Sequence, residues 1–74
     1  MKYRERLTSD PKIMLGKLVI RGTRIPAALV LKKLSVGLSI EELLKGYPNI
    51  TREDVLACLE YSADVVSKEE IIAP

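Results

Sequence analysis

The chain has 74 residues, room for a single domain, which we divide into an arm (about 1–25), a helical part (about 26–67) and a C-terminal tail (68–74). One cysteine and no histidine exclude an intrachain disulfide and a structural zinc site, so we expect so small a core to gain stability from self-association. The net charge of +2 divides into +7 over residues 1–36 and −5 over residues 37–74, so the basic half suits phosphates or the acidic half of another copy.

The first 25 residues predict a β-hairpin arm, spanning about 5–25. Asp10-Pro11-Lys12 is a turn signal, because proline fixes φ and aspartate bonds its own backbone, and Gly16-Lys17 is a second turn candidate. Short segments of strand character lie around these turns: Arg6-Leu7-Thr8, Ile13-Met14-Leu15 and Leu18-Val19-Ile20. The open edges of such an arm can pair with another chain.

A first helix is predicted from Ala27 to Val36. Pro26 suits the first helical position, where its missing N–H costs nothing. Gly37 ends the helix as a left-handed cap. Its inward face comprises Ala27, Val30, Leu31 and Leu34.

Two further helices follow, each with its own start signal. Ser39 followed by Glu42 is a capping box that opens a short second helix, which Gly46 closes. A loop at Tyr47-Pro48 leads to Thr51, which caps a third helix. We expect the second helix to turn Ile40, Leu43 and Leu44 inward and the third to turn Val55, Leu56, Leu59, Ala63 and Val66 inward.

The resulting fold class is mainly α: an N-terminal β-hairpin arm followed by a three-helix bundle of helix-turn-helix type. In the tail, Ile71 and Ile72 are candidates for contact with a partner.

The run from Gly16 to Pro26, Gly-Lys-Leu-Val-Ile-Arg-Gly-Thr-Arg-Ile-Pro, is more specific than the helical periodicity. It resembles the Gly-Lys-Pro-Val-Ile-Arg-Gly-Thr-Arg-Ile-Pro signature of the bacterial and archaeal domain-of-unknown-function family 433. The resemblance extends over about residues 7–64, and its two departures, Leu15 and Leu18, lie in the arm. The other matching segments are Asp10-Pro11, Gly37-Leu38-Ser39, Glu41-Glu42, Tyr47-Pro48 and Thr51 with Glu53-Asp54-Val55.

This resemblance implies a homeodomain-like fold related to winged helices. It also implies the role of antitoxin in a type II toxin–antitoxin pair, often beside a gene for a PIN-like nuclease toxin. Such antitoxins bind their operator DNA and their toxin.

Two interpretations of the segment Arg21-Gly22-Thr23-Arg24 stay open. In the functional one, glycine permits close approach of the backbone, the arginines contact phosphate or guanine, and Thr23 adds a hydroxyl. In the structural one, the segment is a tight turn between arm and helix, and Arg21 or Arg24 pairs with a carboxylate such as Asp54.

Three more cations are candidates for DNA contact. Lys32 and Lys33 lie off the apolar stripe of the first helix, where they could meet phosphates or only solvent. In the third helix Arg52 could read a guanine, but Glu53 and Asp54 lie in its first turn and we expect Glu60 and Asp64 to continue its outer face, where acidic side chains repel phosphates. The alternative is that these charges only cap and solvate the helix.

Other function classes have little support in the sequence. Histidine, the usual catalytic base, is absent, and Cys58 has no partner to activate it, so we expect no enzyme and no cofactor. No apolar run approaches the roughly 20 residues of a membrane span, and no apolar segment follows the charged start. These features predict a cytoplasmic protein without a membrane or small-molecule partner.

Two hypotheses follow. The first is a DNA-binding helix-turn-helix regulator, an antitoxin that forms a homodimer or tetramer and binds both DNA and a toxin protein. The alternative is an oligomerising protein-interaction module with no direct DNA contact, in which the basic arm packs on acidic helices.

Overall fold

The computed structural model describes residues 3–12 and 16–68. A 3-10 turn at Tyr3–Glu5 precedes strands β1 (Leu7–Ser9) and β2 (Leu18–Ile20). Helices α1 (Ala27–Ser35), α2 (Ile40–Gly46) and α3 (Arg52–Ser67) follow. The predicted fold class, a mainly α domain with a β-hairpin arm and three helices, is confirmed.

The arm is a two-stranded antiparallel ribbon whose register pairs Leu7 with Ile20 and Ser9 with Leu18. The turn signal at Asp10 is confirmed, since its Oδ1 accepts the Lys12 backbone N–H at 2.9 Å. The strand character predicted for residues 13–15 lies outside the described residues, as does the tail segment 69–74 with Ile71 and Ile72.

Helix α1 begins and ends at the residues that its sequence signals indicated, with one correction. Pro26 is the N-cap and has extended backbone angles, so it stands one residue before the first helical position. At the other end Gly37 has φ of +101°, and the amides of Gly37 and Leu38 bond the carbonyls of Leu34 and Lys33. This Schellman motif satisfies two carbonyls that the helix end leaves without partners.

Helices α2 and α3 both begin at capping boxes. Ser39 and Glu42 exchange side-chain and backbone hydrogen bonds at 3.1 Å, as predicted. This bonding lowers the pKa of Glu42, chiefly through the Ser39 backbone N–H. Thr51 and Asp54 form a second box, in which the Asp54 carboxylate accepts the Thr51 N–H at 2.9 Å. The second box was not expected, because an aspartate at the third helical position is a weaker signal than glutamate.

The hydrophobic core lies between the arm and the three helices. Its fully buried side chains include Val19, Ile20, Val30, Leu43 and Val55. The predicted inward faces of α1 and α2 are confirmed in part, since Val30 and Leu43 are buried while Leu31, Leu34, Ile40 and Leu44 are half-buried.

The predicted inward face of α3 is wrong in its C-terminal half. Leu59 is 38% exposed, Val66 is 59% exposed, and Ala63 is exposed as well. The helix instead buries the side that carries Val55, Ala57 and Cys58. Because α3 has apolar residues on two sides, periodicity could not identify the side that meets the core.

Candidate functional site

The Arg21-Gly22-Thr23-Arg24 segment turns the chain from β2 into α1, and Arg21 braces that turn. Gly22 has φ of +81°, a conformation that other residues rarely adopt. The Arg21 guanidinium donates through Nε to the Glu5 carbonyl and through Nη2 to the Arg4 carbonyl, both at 3.1 Å. Arg21 therefore holds the 3-10 turn of the arm against β2.

The Thr23 hydroxyl stabilises the same turn. Its Oγ1 donates to the Ile20 carbonyl at 2.7 Å and accepts the Ile25 N–H at 3.0 Å. Its hydroxyl is thus engaged on both sides within the turn. The expected pairing of Arg21 or Arg24 with Asp54 is wrong, because Arg6 takes that position, with 3.2 Å between its Nη1 and the Asp54 Oδ1.

Three of the six predicted contact residues present their charge without an internal partner. Arg24 and Lys32 are exposed and Lys33 is half-buried. None of these three side chains forms a hydrogen bond or an ion pair with a residue that the structure describes. Arg24 lies in the loop before α1, and both lysines lie in the last turn of that helix.

Arg52 differs from these three cations because it has a partner. Its Nη1 lies 3.5 Å from the Glu41 Oε1 of α2, and both side chains are more than half exposed. An exposed pair of this kind contributes little to stability, so the guanidinium could exchange partners readily.

Three acidic side chains of α3, those of Asp54, Glu60 and Asp64, are bound to the arm of the same chain, whereas Glu53 is exposed. Glu60 accepts the Tyr3 backbone N–H at 2.9 Å, and Asp64 accepts the Tyr3 hydroxyl at 3.0 Å. The rings of Tyr3 and Tyr61 pack edge to face, with 5.4 Å between their centroids. The expectation that Glu60 and Asp64 continue the outer face of α3 is therefore wrong.

Lys68 and Tyr3 lower the pKa of Asp64, the lysine hydrogen bond having the larger effect. Together with the Arg6–Asp54 pair, these contacts join the basic arm to the acidic helix within one chain. Sequence reasoning identified the opposite charges of the two halves but missed Tyr3 and Arg6. The signal available in the sequence was a tyrosine and arginines ahead of β1.

The outward side of α3 carries little of the positive charge that attracts DNA. It carries Arg52 at its N-terminal end, followed by Leu56, Leu59, Ala63 and Val66. A helix that reads a major groove presents side chains able to hydrogen-bond bases or phosphates. The geometry of α3 does not favour that role beyond Arg52.

Cys58, the single cysteine of the chain, lies in surroundings that keep its thiol unreactive. Cys58 is fully buried, and burial, followed by the charge of Asp54, raises the pKa of its thiol to about 11. The thiol is therefore protonated at neutral pH and not nucleophilic. No group of three or more histidine, cysteine, aspartate or glutamate side chains that could hold a metal ion occurs in this part of the chain.

A shallow apolar groove of about 290 Å³ lies between β2, the start of α1 and α3. One charged side chain, Lys17, borders it, so it lacks the converging polar groups of a small-molecule site. The remaining residues that line the groove are Leu18, Pro26, Ala27, Ala28, Leu31 and Tyr61.

Among residues 3–12 and 16–68, no helix combines the length and apolarity needed to cross a bilayer.

Comparison with known proteins places these features in a family context. A family model described as "Protein of unknown function (DUF433)" matches residues 7–62. The chain is 38% identical over 52 residues to the uncharacterised protein y4eO of Sinorhizobium fredii, a match that covers 70% of this chain and 24% of that protein. It is also similar to the crystal structure of a DUF433 member from Anabaena variabilis, with a TM-score of 0.77 and 30% identity over 85% of this chain and 62% of the other. The chain thus spans about a quarter of the curated relative and less than two thirds of the solved one.

Proposed function

The chain belongs to the DUF433 family, and from that premise we propose that it is a DNA-binding regulator, the antitoxin of a type II toxin–antitoxin pair. The observation that carries the DNA contact is that three of the six candidate residues, Arg24, Lys32 and Lys33, have no internal partner among the described residues. The antitoxin role and a PIN-like nuclease as toxin rest on the family resemblance.

The internal contacts of the basic residues support this assignment, because some of these residues hold the arm and others have no partner within the described residues. Arg6 and Arg21 are engaged in holding the arm. Arg24 and Lys32 stay available for phosphates, whose neutralisation supplies most of the affinity of proteins for DNA. Asp54, Glu60 and Asp64 of α3, whose charge would repel a duplex, are bound to the arm, and Asp54 is paired there with Arg6.

The six candidate residues have different roles in this contact. Arg24, Lys32 and Lys33 contact DNA directly, and Arg52 adds a contact by leaving Glu41. Arg21 and Thr23 act by shaping the turn that presents Arg24.

The test is a fluorescence-anisotropy titration against the DNA upstream of the coding gene and a scrambled control, each at two salt concentrations. Arg24→Ala/Lys32→Ala should weaken binding and reduce the salt slope by about two, since each phosphate contact contributes about 0.9. Lys45→Ala, an exposed lysine on α2 in the acidic half, is the matched control and should bind like the parent. An unchanged affinity in the double variant would show that Arg24 and Lys32 do not contact DNA.

A second function, a protein-interaction module without direct DNA contact, is favoured by the apolar outward side of α3. It predicts no anisotropy change with either DNA at low salt. Equal, salt-sensitive binding to both DNAs would indicate a basic surface without sequence specificity and would count against a regulator.

A further inference from the structure

Residues 11–40 contain no aspartate or glutamate and six cations, so this stretch of the arm and α1 carries a formal charge of +6. None of these cations forms an ion pair in the part of the chain that the structure describes. Since no carboxylate neutralises the stretch there, it attracts an anionic partner. The six cations are Lys12, Lys17, Arg21, Arg24, Lys32 and Lys33.

The fold brings part of this charge together on one side of the molecule. The Ile20 N–H donates to the Ile25 carbonyl at 2.9 Å, which ties β2 to the loop before α1. Lys17 of the arm and Ala28 of α1 line the same shallow groove. Ala28 and Lys32 lie four residues apart in α1 and therefore on the same side of that helix. All three residues are exposed, and together they form what we call the α1 surface: Lys17, Ala28 and Lys32.

We propose, resting on the DNA-binding function proposed above, that the duplex lies against the α1 surface and that Lys17 is a further phosphate contact. The Lys17 side chain is exposed and has no partner among the described residues, as is the case for Lys32. Ala28 lies between these two lysines, and its short side chain lets a phosphate backbone approach α1 closely. No carboxylate lines the groove that Lys17 and Ala28 share.

The outward side of α3 is a poorer surface for a duplex, although a helix-turn-helix protein ordinarily places its third helix in the major groove. Beyond Arg52 this side carries apolar side chains such as Leu59 and Ala63. Glu53, in the first turn of α3, is exposed and has no ion pair within residues 3–12 and 16–68. Because phosphates are attracted by cations and repelled by carboxylates, the α1 surface is the better one for DNA.

The salt dependence of binding measures the contact of Lys17. Each phosphate contact contributes about 0.9 to the slope of log K against log salt, which amounts to roughly eightfold in affinity between about 1 M and about 0.1 M salt. Lys17→Ala should therefore weaken binding roughly eightfold at about 0.1 M salt and lower the slope by about 0.9. Phosphate contacts carry no sequence information, so the loss should be the same for the upstream DNA and the scrambled control. Lys45→Ala, in the acidic half, is the matched lysine control.

Two exposed alanines distinguish α1 from α3 in the same anisotropy titration of the full chain. Ala28→Glu places a carboxylate within the α1 surface, four residues before Lys32, and should weaken binding to both DNAs more than Lys17→Ala does. Helix α1 tolerates this change, since an acidic residue in the first turn is favourable. Ala63→Glu places the same group on the outward side of α3 and should bind like the parent. Circular dichroism of each variant, unchanged from the parent, keeps a loss of folding from being read as a loss of binding.

The outcomes separate this surface from the DNA-binding function itself. A parent that binds DNA, with Ala63→Glu weakened as much as Ala28→Glu or more, would overturn the α1 surface and leave the function standing. An unchanged affinity and salt slope in Lys17→Ala would overturn the contact of Lys17. A parent that binds neither DNA at low salt would overturn the function, and the α1 surface with it.

Discussion

Asp54 is the residue through which the arm and the start of α3 depend on one another. Its Oδ2 accepts the Thr51 N–H at 2.9 Å, and its Oδ1 accepts from the Arg6 guanidinium at 3.2 Å. Its side chain is 13% exposed, whereas that of Arg6 is 41% exposed. We predict that Asp54→Ala is the most destabilising single change among the charged residues of α3.

The magnitude follows from the two contacts. Loss of the capping-box hydrogen bond from the Thr51 N–H to the Asp54 carboxylate costs about 1 kcal/mol. The pair with Arg6 contributes about 0.5 kcal/mol, because solvent screens the exposed guanidinium. Asp54→Ala should therefore lower the free energy of unfolding by about 1.5 kcal/mol, which corresponds to a fall in Tm of roughly 6–12 °C for a domain of this size. Asp54→Asn, which keeps an oxygen for the Thr51 N–H, should lose about 0.5 kcal/mol.

Urea titrations followed by circular dichroism measure these differences. Glu53→Ala is the matched control, since Glu53 lies in the same turn and is exposed, and it should stay within about 0.5 kcal/mol of the parent. A double-mutant cycle with Arg6→Ala should give a coupling energy of about 0.5 kcal/mol. If Asp54→Ala matched Glu53→Ala, the cap would contribute nothing and the reasoning would be refuted.

Three further changes address other parts of the chain. Gly37→Ala should lower the free energy of unfolding by about 1 kcal/mol, because φ of Gly37 is +101°. Gly46→Ala should be neutral or stabilising, because Gly46 lies in α2 with open space around it. A fall of the urea midpoint in both variants would contradict this. The Cys58 thiol, fully buried and with its pKa raised to about 11, should react with a disulfide reagent at pH 8 only as fast as the protein unfolds; rapid labelling of the folded chain would contradict the burial. The Lys68 hydrogen bond lowers the pKa of the Asp64 carboxyl. The ionised Asp64 carboxylate therefore stabilises the fold at a pH above its ordinary pKa of 3.8, and this stabilisation is lost as the pH falls through the lower pKa of the folded state. Asp64→Asn should therefore reduce the loss of Tm in acid, and an unchanged acid profile would argue against the contact.

The structure changes the interpretation of the charge asymmetry. The sequence suggested that the basic half could meet DNA or the acidic half of another copy. Within one chain Arg6 already pairs with Asp54, and Tyr3 binds Glu60 and Asp64, so three carboxylates of the acidic half are engaged by the arm of the same chain. Among the six candidate residues, Arg24 and the two lysines of α1 keep charges without an internal partner in the described part of the chain.

The sequence by itself determined the parts of this fold that rest on neighbouring residues. Ser39 with Glu42, Thr51 and Gly37 mark helix ends through bonds that span three to five residues, so their effect is the same in any tertiary context. The β-branched run Leu18–Ile20 similarly predicts its strand. The family signature between Gly16 and Pro26 identified the family for the same reason, since it is a contiguous run.

Only the tertiary structure decided which side of α3 meets the core and where the arm lies. The sequence permitted two apolar sides on α3, and the choice between them depends on α1 and on the 3-10 turn and β1 of the arm, which pack against it from distant parts of the chain. The arm is held by contacts between residues 48 to 61 positions apart, such as Arg6 with Asp54 and Tyr3 with Asp64. Such contacts form only after the loop between them has closed, and no local pattern records which partners then meet.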